Sequence, residues 1–271
     1  MLNPRLAARP LLAAATLGGT LLTTAVHAHN VWLLPSSTVL SRADWVTVDA
    51  AVSNDLFHFN HAPLQLDNLK VTAPDGSDLT PRYTQQGKLR SVFDLNLTQR
   101  GTYRIAIIND ALMARWEDNG QRKRWRGQAA ELEKEVPAQA DKLEVTERFS
   151  RVETYVTVGK PDTRPPAGKG LEYVPVTHPN DWVADEASVL SFTVDGKPVK
   201  GLEVVAVPGN SRYRDDTGEI KAVTDEAGKV SFQWPAAGMY WIHAMHKDQK
   251  TSHPRATERR LSYSGTFEVL P

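Results

Sequence analysis

Short apolar runs separated by turn residues recur from about residue 30 to the end of the chain, and this rhythm constrains the fold most. Runs of this length, rich in Val, Ile, Thr and aromatic residues and bounded by turn residues, are typical of β-strands. Many such strands at close spacing predict an all-β protein built from sandwiches. The runs include WVTVDAAV, VFDLNL, GTYRIAII, ETYVTVG, SVLSFTV and TFEVLP.

One segment breaks this rhythm. AAELEKEVPAQADKLEV, from Ala129 to Val145, is rich in Ala and Glu, which favour a helix. Pro137 cannot continue a helix, so a short helix is predicted before it.

The chain of 271 residues is long enough for two globular domains. Residues 159–170, GKPDTRPPAGKG, contain three prolines that the interior of a strand would not accept. We therefore predict a linker there, between an N-terminal β-sandwich domain over residues 29–158 and a C-terminal immunoglobulin-like sandwich over residues 171–271. Turns are expected at Gly76, Gly196 and Gly228.

Residues 1–28 have the pattern of a secretory signal peptide, with Arg5 and Arg9 ahead of an uncharged apolar stretch. Val26 and Ala28 suit a cleavage site, so the mature chain is expected to begin at His29. Loss of the two arginines leaves 30 basic against 32 acidic residues, which predicts no global attraction to nucleic acid. We expect a periplasmic protein that does not itself span the membrane.

The common catalytic motifs of hydrolases, nucleotide-binding enzymes and zinc proteases are missing from the sequence. Two acidic pairs, Asp215/Asp216 and Asp225/Glu226, lie in predicted turns, where carboxylates usually face solvent. We therefore assign no catalytic residue and expect a protein that is not an enzyme.

Histidines provide the strongest chemical signal. A terminal His29 would offer a metal both its α-amine and its imidazole, a chelate suited to Cu(II) or Ni(II). His58 and His61 lie in NDLFHFNHAP, where a turn at Asn60 and Pro63 would let them share one ion. His29, His58 and His61 are thus candidate ligands of nickel, copper or zinc, with Asp55 orienting a ring. The alternative is that these imidazoles bond only to backbone or water.

Two further groups are weaker candidates. In WIHAMH, His243 and Met245 share one face of a predicted strand and would suit copper, although Met and Trp in an apolar strand more often pack in the core. In QRKRWRG, four basic residues surround Trp125, a composition typical of anion binding. A solvated loop is the alternative for this second group. Its basic residues are Arg122, Lys123, Arg124 and Arg126.

Several blocks along the chain together resemble the domain-of-unknown-function 4198 family. They include AHNVWLLPS, DLFHFNHAPL, RWEDNGQRKRWRG, GKGLEYVPVTHPND and TDEAGKVSFQWPAAGMYW. The resemblance implies a periplasmic protein with two β domains, related to nickel-uptake components and to accessory proteins of TonB-dependent receptors. Carried over by position, the terminal histidine of the family falls on His29 and its histidine loop on His58 and His61.

The leading functional hypothesis is a soluble periplasmic accessory protein in the acquisition of nickel, iron or copper, which binds a metal ion or an anionic metal chelate. The alternative is a non-catalytic interaction module that bridges a membrane uptake protein or receptor. A third reading is an oxidative copper enzyme, because such enzymes also use a terminal histidine with a second imidazole.

Overall fold

A computed structural model describes residues 29–163 and 166–271. The predicted signal peptide, residues 1–28, lies outside the described residues, as do two positions of the predicted linker. In the described part, strands dominate and a single helix is present, which confirms the all-β prediction.

The first half of the chain contains ten strands and the helix. They are β1 (Asn30–Pro35), β2 (Val39–Leu40), β3 (Asp44–Ser53), β4 (Ala62–Pro63), β5 (Leu69–Thr72), β6 (Arg82–Gln86), β7 (Ser91–Leu97), β8 (Gly101–Asp118), β9 (Gln121–Gly127), α1 (Ala129–Glu135) and β10 (Asp141–Val158). The second half contains β11 (Leu171–Pro175), β12 (Ala187–Val194), β13 (Lys197–Pro198), β14 (Glu203–Pro208), β15 (Ile220–Val223), β16 (Lys229–Gln233), β17 (Gly238–Asp248) and β18 (Glu258–Val269).

The helix lies where the sequence predicts it. It ends at Glu135, two residues before Pro137, and its first turn forms a capping box between Gln128 and Glu131. Leu132 is buried against Leu112 and Val145 of the neighbouring strands. The helix therefore covers one end of the β8–β10 pair.

The strands of the described residues form three sheets. The first has the order β1-β3-β7-β6, with β4 beside β3, and the third has the order β11-β12-β13, with β16 beside β12. Between them lies a sheet of nine strands in the order β15-β14-β17-β18-β10-β8-β5, with β2 beside β10 and β9 beside β8.

The two large cores lie on opposite sides of the nine-stranded sheet, and β10 contributes to both. Alternate side chains of a strand point to opposite faces. Val152 and Val156 accordingly pack in the core under the first sheet, whereas Phe149 and Tyr155 pack in the core under the third.

The nine-stranded sheet joins strands from both predicted domains. β10 runs antiparallel to β8 and parallel to β18, with Thr146–Thr154 opposite Glu258–Thr266. Residues 159–163 and 166–170 form no strand, and within them the Asp162 carboxylate accepts a hydrogen bond of 2.6 Å from the backbone of Thr102. The division into two domains stays a prediction.

Glycine at the predicted turns has a steric reason. Gly76, Gly196 and Gly228 all have positive φ, which confirms the turn predictions. At Gly228 a Cβ would also lie 2.5 Å from the carbonyl oxygen of Phe192, so only glycine lets the hairpin approach β12.

A network of buried charges connects the halves of the chain. The Glu153 carboxylate accepts hydrogen bonds from Arg104 and from the hydroxyls of Tyr155 and Tyr263, each at 2.9 Å. Glu172 accepts from the backbone of residues 167 and 168, and Arg151 pairs with it at 3.0 Å. Two arginines and two glutamates therefore balance one another inside the core.

Candidate metal site and other functional residues

His29 and His61 lie against each other, with ring centroids 3.7 Å apart and planes inclined at 33°. The strand register explains the contact. His29 precedes Asn30, which pairs with Ser53, and His61 precedes Ala62, which pairs with Val52. β1 and β4 thus flank the same end of β3, and both exposed imidazoles converge over it.

The loop that carries His61 is held by its own polar groups. The side-chain amide of Asn60 donates to the Asp55 carboxylate at 2.6 Å, and its oxygen accepts from the backbone of Asn54 at 2.9 Å. Asp55, which we predicted would orient an imidazole, thus bonds to Asn60. Phe57 takes a positive φ of 61°, so the backbone turns at that residue, whereas Pro63, one of the two positions at which we predicted the turn, lies in β4.

An aromatic cluster lies beneath this loop. Phe57 and Phe59 each have their ring centroid 5.5 Å from that of Trp32, which is fully buried. The Trp32 indole donates to the hydroxyl of Ser53 at 2.8 Å, and the Arg90 guanidinium lies 4.5 Å from the centre of the Phe59 ring. These contacts fix the position of the loop on β3.

His58 makes a different contact from the other two histidines. Its Nδ1 lies 3.3 Å from the guanidinium of Arg212, in the loop between β14 and β15. A guanidinium can only donate, so this Nδ1 accepts, and the proton of the neutral ring is on Nε2. The sequence carries no signal for this pairing, because the two residues are 154 positions apart.

The histidine pair offers fewer protein donors than a complete metal site needs. Within residues 29–163 and 166–271, no three His, Cys, Asp or Glu side chains lie together in a group that could hold a metal ion. The His29–His61 pair supplies two imidazoles, and an α-amine on His29 would be the third nitrogen donor that a copper or nickel ion accepts. The shared role of His29, His58 and His61 as ligands stays a prediction.

The remaining histidines have contacts within the fold. His178 is buried, its Nδ1 accepts from the Asn180 backbone at 3.1 Å, and burial lowers its pKa. His243 stacks on Trp241 with centroids 4.7 Å apart, and burial also lowers its pKa. Met245, on the same face as His243, is 62% exposed.

The acidic pairs stabilise turns, as expected. Asp225 accepts hydrogen bonds from the backbone of Ala227 and Lys229, each at 2.8 Å, and Asp216 accepts one from Gly218 at 2.9 Å. Carboxylates that accept bonds from their own turn are structural groups.

The basic segment around Trp125 forms strand β9. Arg122, Arg124 and Arg126 are exposed on one face of β9, whereas Trp125 is half-buried on the other and donates to Glu135 at 2.7 Å. Trp125 therefore anchors the strand to α1 and leaves the arginines on the opposite face.

No helix among the described residues is long and apolar enough to cross a membrane. No curated protein matches the chain. Among solved structures, the D0-D1 domain of intimin is similar over 88% of this chain and 97% of its own, with 11% identity and a TM-score of 0.23.

Escherichia coli alpha-2-macroglobulin activated by porcine elastase matches over 90% of this chain and 31% of its own, with 12% identity and a TM-score of 0.21. The three N-terminal domains of the bacteriophage RB49 outer capsid protein Hoc match over 90% of this chain and all of their own, with 10% identity and a TM-score of 0.19. Likenesses this weak carry no argument about function.

The sequence profile of one family matches residues 26–248, which is most of the chain. That stretch includes His29, the loop that carries His58 and His61, and strand β9 with its arginines. The chain belongs to the family described as a domain of unknown function, DUF4198.

Proposed function

We propose that this protein is an exported accessory protein of transition-metal acquisition, and that it binds a divalent ion such as nickel or copper at His29 and His61. The observation that supports the proposal is the contact between these two rings, whose centroids lie 3.7 Å apart. Both rings are on the exposed end of β3 and can be reached by an ion from solvent.

The donor chemistry favours late divalent ions. Two imidazoles and a primary amine are nitrogen donors, which suit copper, nickel and zinc rather than calcium or magnesium. The amine exists only if processing leaves His29 at the chain start. The proposal therefore couples cleavage after Ala28 to metal binding.

His58 would join the site only by exchanging its present partner. While its Nδ1 accepts from Arg212, the other ring nitrogen carries the proton and offers no lone pair. Binding of an ion at His58 would release Arg212, which links occupancy to the loop between β14 and β15.

Calorimetric titration of Ni(II) and Cu(II) into a chain that begins at His29 tests the proposal. We expect saturable binding of one ion, with the affinity lowered at least tenfold by His61→Ala and by one alanine added before His29. His246→Ala, which removes an imidazole from β17, is the matched control and should leave the affinity unchanged.

Three outcomes would overturn the proposal. If the chain with the added alanine binds the ion as tightly as the chain that begins at His29, the α-amine of His29 is not a ligand. Capture of a membrane receptor that persists after His29, His58 and His61 are all changed to Ala would instead support an interaction module. Metal-dependent formation of peroxide in the presence of a reductant would point to oxidative copper chemistry.

A further inference from the structure

A row of positive charges crosses the nine-stranded sheet, away from the contact between His29 and His61. Arg148 of β10 lies opposite Arg260 of β18, and Arg260 lies opposite Lys247 of β17. Residues paired across neighbouring strands share a face of the sheet. Three like charges therefore occupy one level of the sheet on three successive strands.

Further arginines lie on the same face of the sheet, on β8 and β9, which are on the other side of β10 from β18. Arg115 of β8 pairs with Arg124 of β9, and Met113 pairs with Arg126. On β10, the pairing of Met113 with Thr146 and of Ala111 with Arg148 shows that these side chains belong to the same face as Arg148. We call the surface formed by Arg115, Arg124, Arg126, Arg148, Arg260 and Lys247 the basic face.

The basic face lies where the first sheet no longer covers the nine-stranded sheet. On the same side of β10, Val152 and Val156 are buried in the core under the first sheet. Arg148 and Ser150 come earlier along the strand and are half-buried. The polar side chains begin where the apolar core ends.

The charge of Arg148 is only partly compensated, by Glu258 at the margin of the face. The Nε of Arg148 is buried and has no hydrogen-bond partner among the residues that the structure describes. Burial lowers its pKa, and the charges of Arg260, Arg115 and Arg126 lower it further. Among the ion pairs of residues 29–163 and 166–271, none involves Arg148 or Arg126.

Acidic residues near the basic face are already engaged or lie at its margin. Glu258 accepts a hydrogen bond from Arg260. Glu117 pairs with Lys142 at 2.8 Å. Glu144 is exposed and lies opposite Arg115. Positive charge remains in excess.

Small side chains open a hollow in the middle of this surface. Ala111, Ser150 and Ser262 leave a cavity of about 150 Å³ between the longer side chains of Arg126, Arg148 and Arg260. Asn109, Met113 and Met245 complete its wall. Strands β9, β8, β10 and β18 are neighbours, so the backbones that carry Arg126 and Arg260 are roughly 14 Å apart.

We propose that this hollow binds a small multivalent oxyanion, either a polycarboxylate or a phosphate. Guanidinium groups form paired charge-assisted hydrogen bonds with carboxylate and phosphate oxygens. An anion with several oxygens would pair with the guanidinium groups that line the hollow, those of Arg126, Arg148 and Arg260, and relieve the repulsion along the row. Serine and asparagine side chains at the end of the hollow would bond to its remaining oxygens.

Calorimetry with citrate, inorganic phosphate and acetate tests this site, on protein freed of metal by a chelating resin because soluble chelators are themselves polyanions. We expect one saturable site for citrate or phosphate and none for the monovalent acetate. Arg148→Gln and Arg126→Gln should each weaken binding about tenfold, since each removes a charge-assisted hydrogen bond. Arg82→Gln, an exposed arginine of β6 with the same loss of charge, should not.

The anion that binds with the higher affinity identifies the class of ligand. A preference for citrate assigns a polycarboxylate, and a preference for phosphate assigns a phosphate group. Arg126 is exposed on a hairpin, so its variant tests the site even if Arg148→Gln fails to fold. Absence of saturable binding by both anions, or an equal loss of affinity in Arg82→Gln, would overturn the proposal.

Discussion

Arg148 and Arg260 lie opposite each other on adjacent parallel strands, and each strand also contributes to a buried core. Like charges opposed on neighbouring strands are destabilising. This pair therefore reduces the stability of the protein in the absence of a ligand.

The first prediction follows from this pair. Arg148→Gln should raise the free energy of unfolding by up to about 1 kcal/mol at low ionic strength, because it removes the repulsion. Thermal denaturation at low salt and at about 0.5 M salt should show the gain shrinking as the charges are screened. Arg82→Gln should give no gain, and a loss of stability in Arg148→Gln would contradict the prediction.

A second prediction concerns the buried charges. Glu153→Gln should lower the free energy of unfolding by about 3–5 kcal/mol, since it leaves Arg104 without its main counter-charge and removes the second of the two carboxylates that face Arg151. The hydroxyls of Tyr155 and Tyr263 stay protonated because burial holds their pKa well above its ordinary value. Urea denaturation measures the loss. Glu203→Gln, on the exposed face of β14, is the control and should change little.

The third prediction is a pH dependence. Burial lowers the pKa of His178 and His243 in the folded protein, so the unfolded chain takes up protons first as the pH falls. The stability contributed by the neutral rings is present above pH 6.5, the ordinary pKa, and is lost below it. The urea concentration at the midpoint of unfolding should therefore decrease as the pH is lowered from about 7 to about 5. His178→Gln should flatten that slope, and an unchanged slope would refute the assignment to His178.

A fourth prediction tests the loop under the histidine pair. Asn60→Ala removes the hydrogen bonds to Asp55 and to the backbone of Asn54 and should let His61 move away from His29. Metal affinity in calorimetry should fall several-fold, although no proposed ligand is changed. The control is Asn68→Ala, which removes an exposed side-chain hydrogen bond to Asn109, outside the histidine loop. Equal affinity in both variants would show that the loop does not position the ligand.

The local features of the fold could be predicted from the sequence, because each depends on neighbouring residues. Short apolar runs bounded by turn residues define the strands, Pro137 limits α1, and the positive φ of Gly228 is required by its turn. The approach of His29 to His61 is partly local as well, since both residues adjoin strands that flank β3.

The long-range pairings could not be predicted in this way. The parallel pairing of β10 with β18 joins residues more than a hundred positions apart, and no local pattern selects that partner. The row of Arg148, Arg260 and Lys247 depends on this register, as the contact between His58 and Arg212 depends on the packing of two distant loops. Only the arginines of β9, contiguous in the sequence, gave a signal.

The double role of β10 also governs the order in which the protein can mature. Until residues 258–269 are available, the central residues of β10 pair only with β8, and Phe149 and Tyr155 lack much of the apolar surface that covers them. A nascent chain that ends near residue 158 would expose an unpaired strand edge and an apolar face of β10 to solvent. That edge stays unpaired until residues 258–269 form β18 against it.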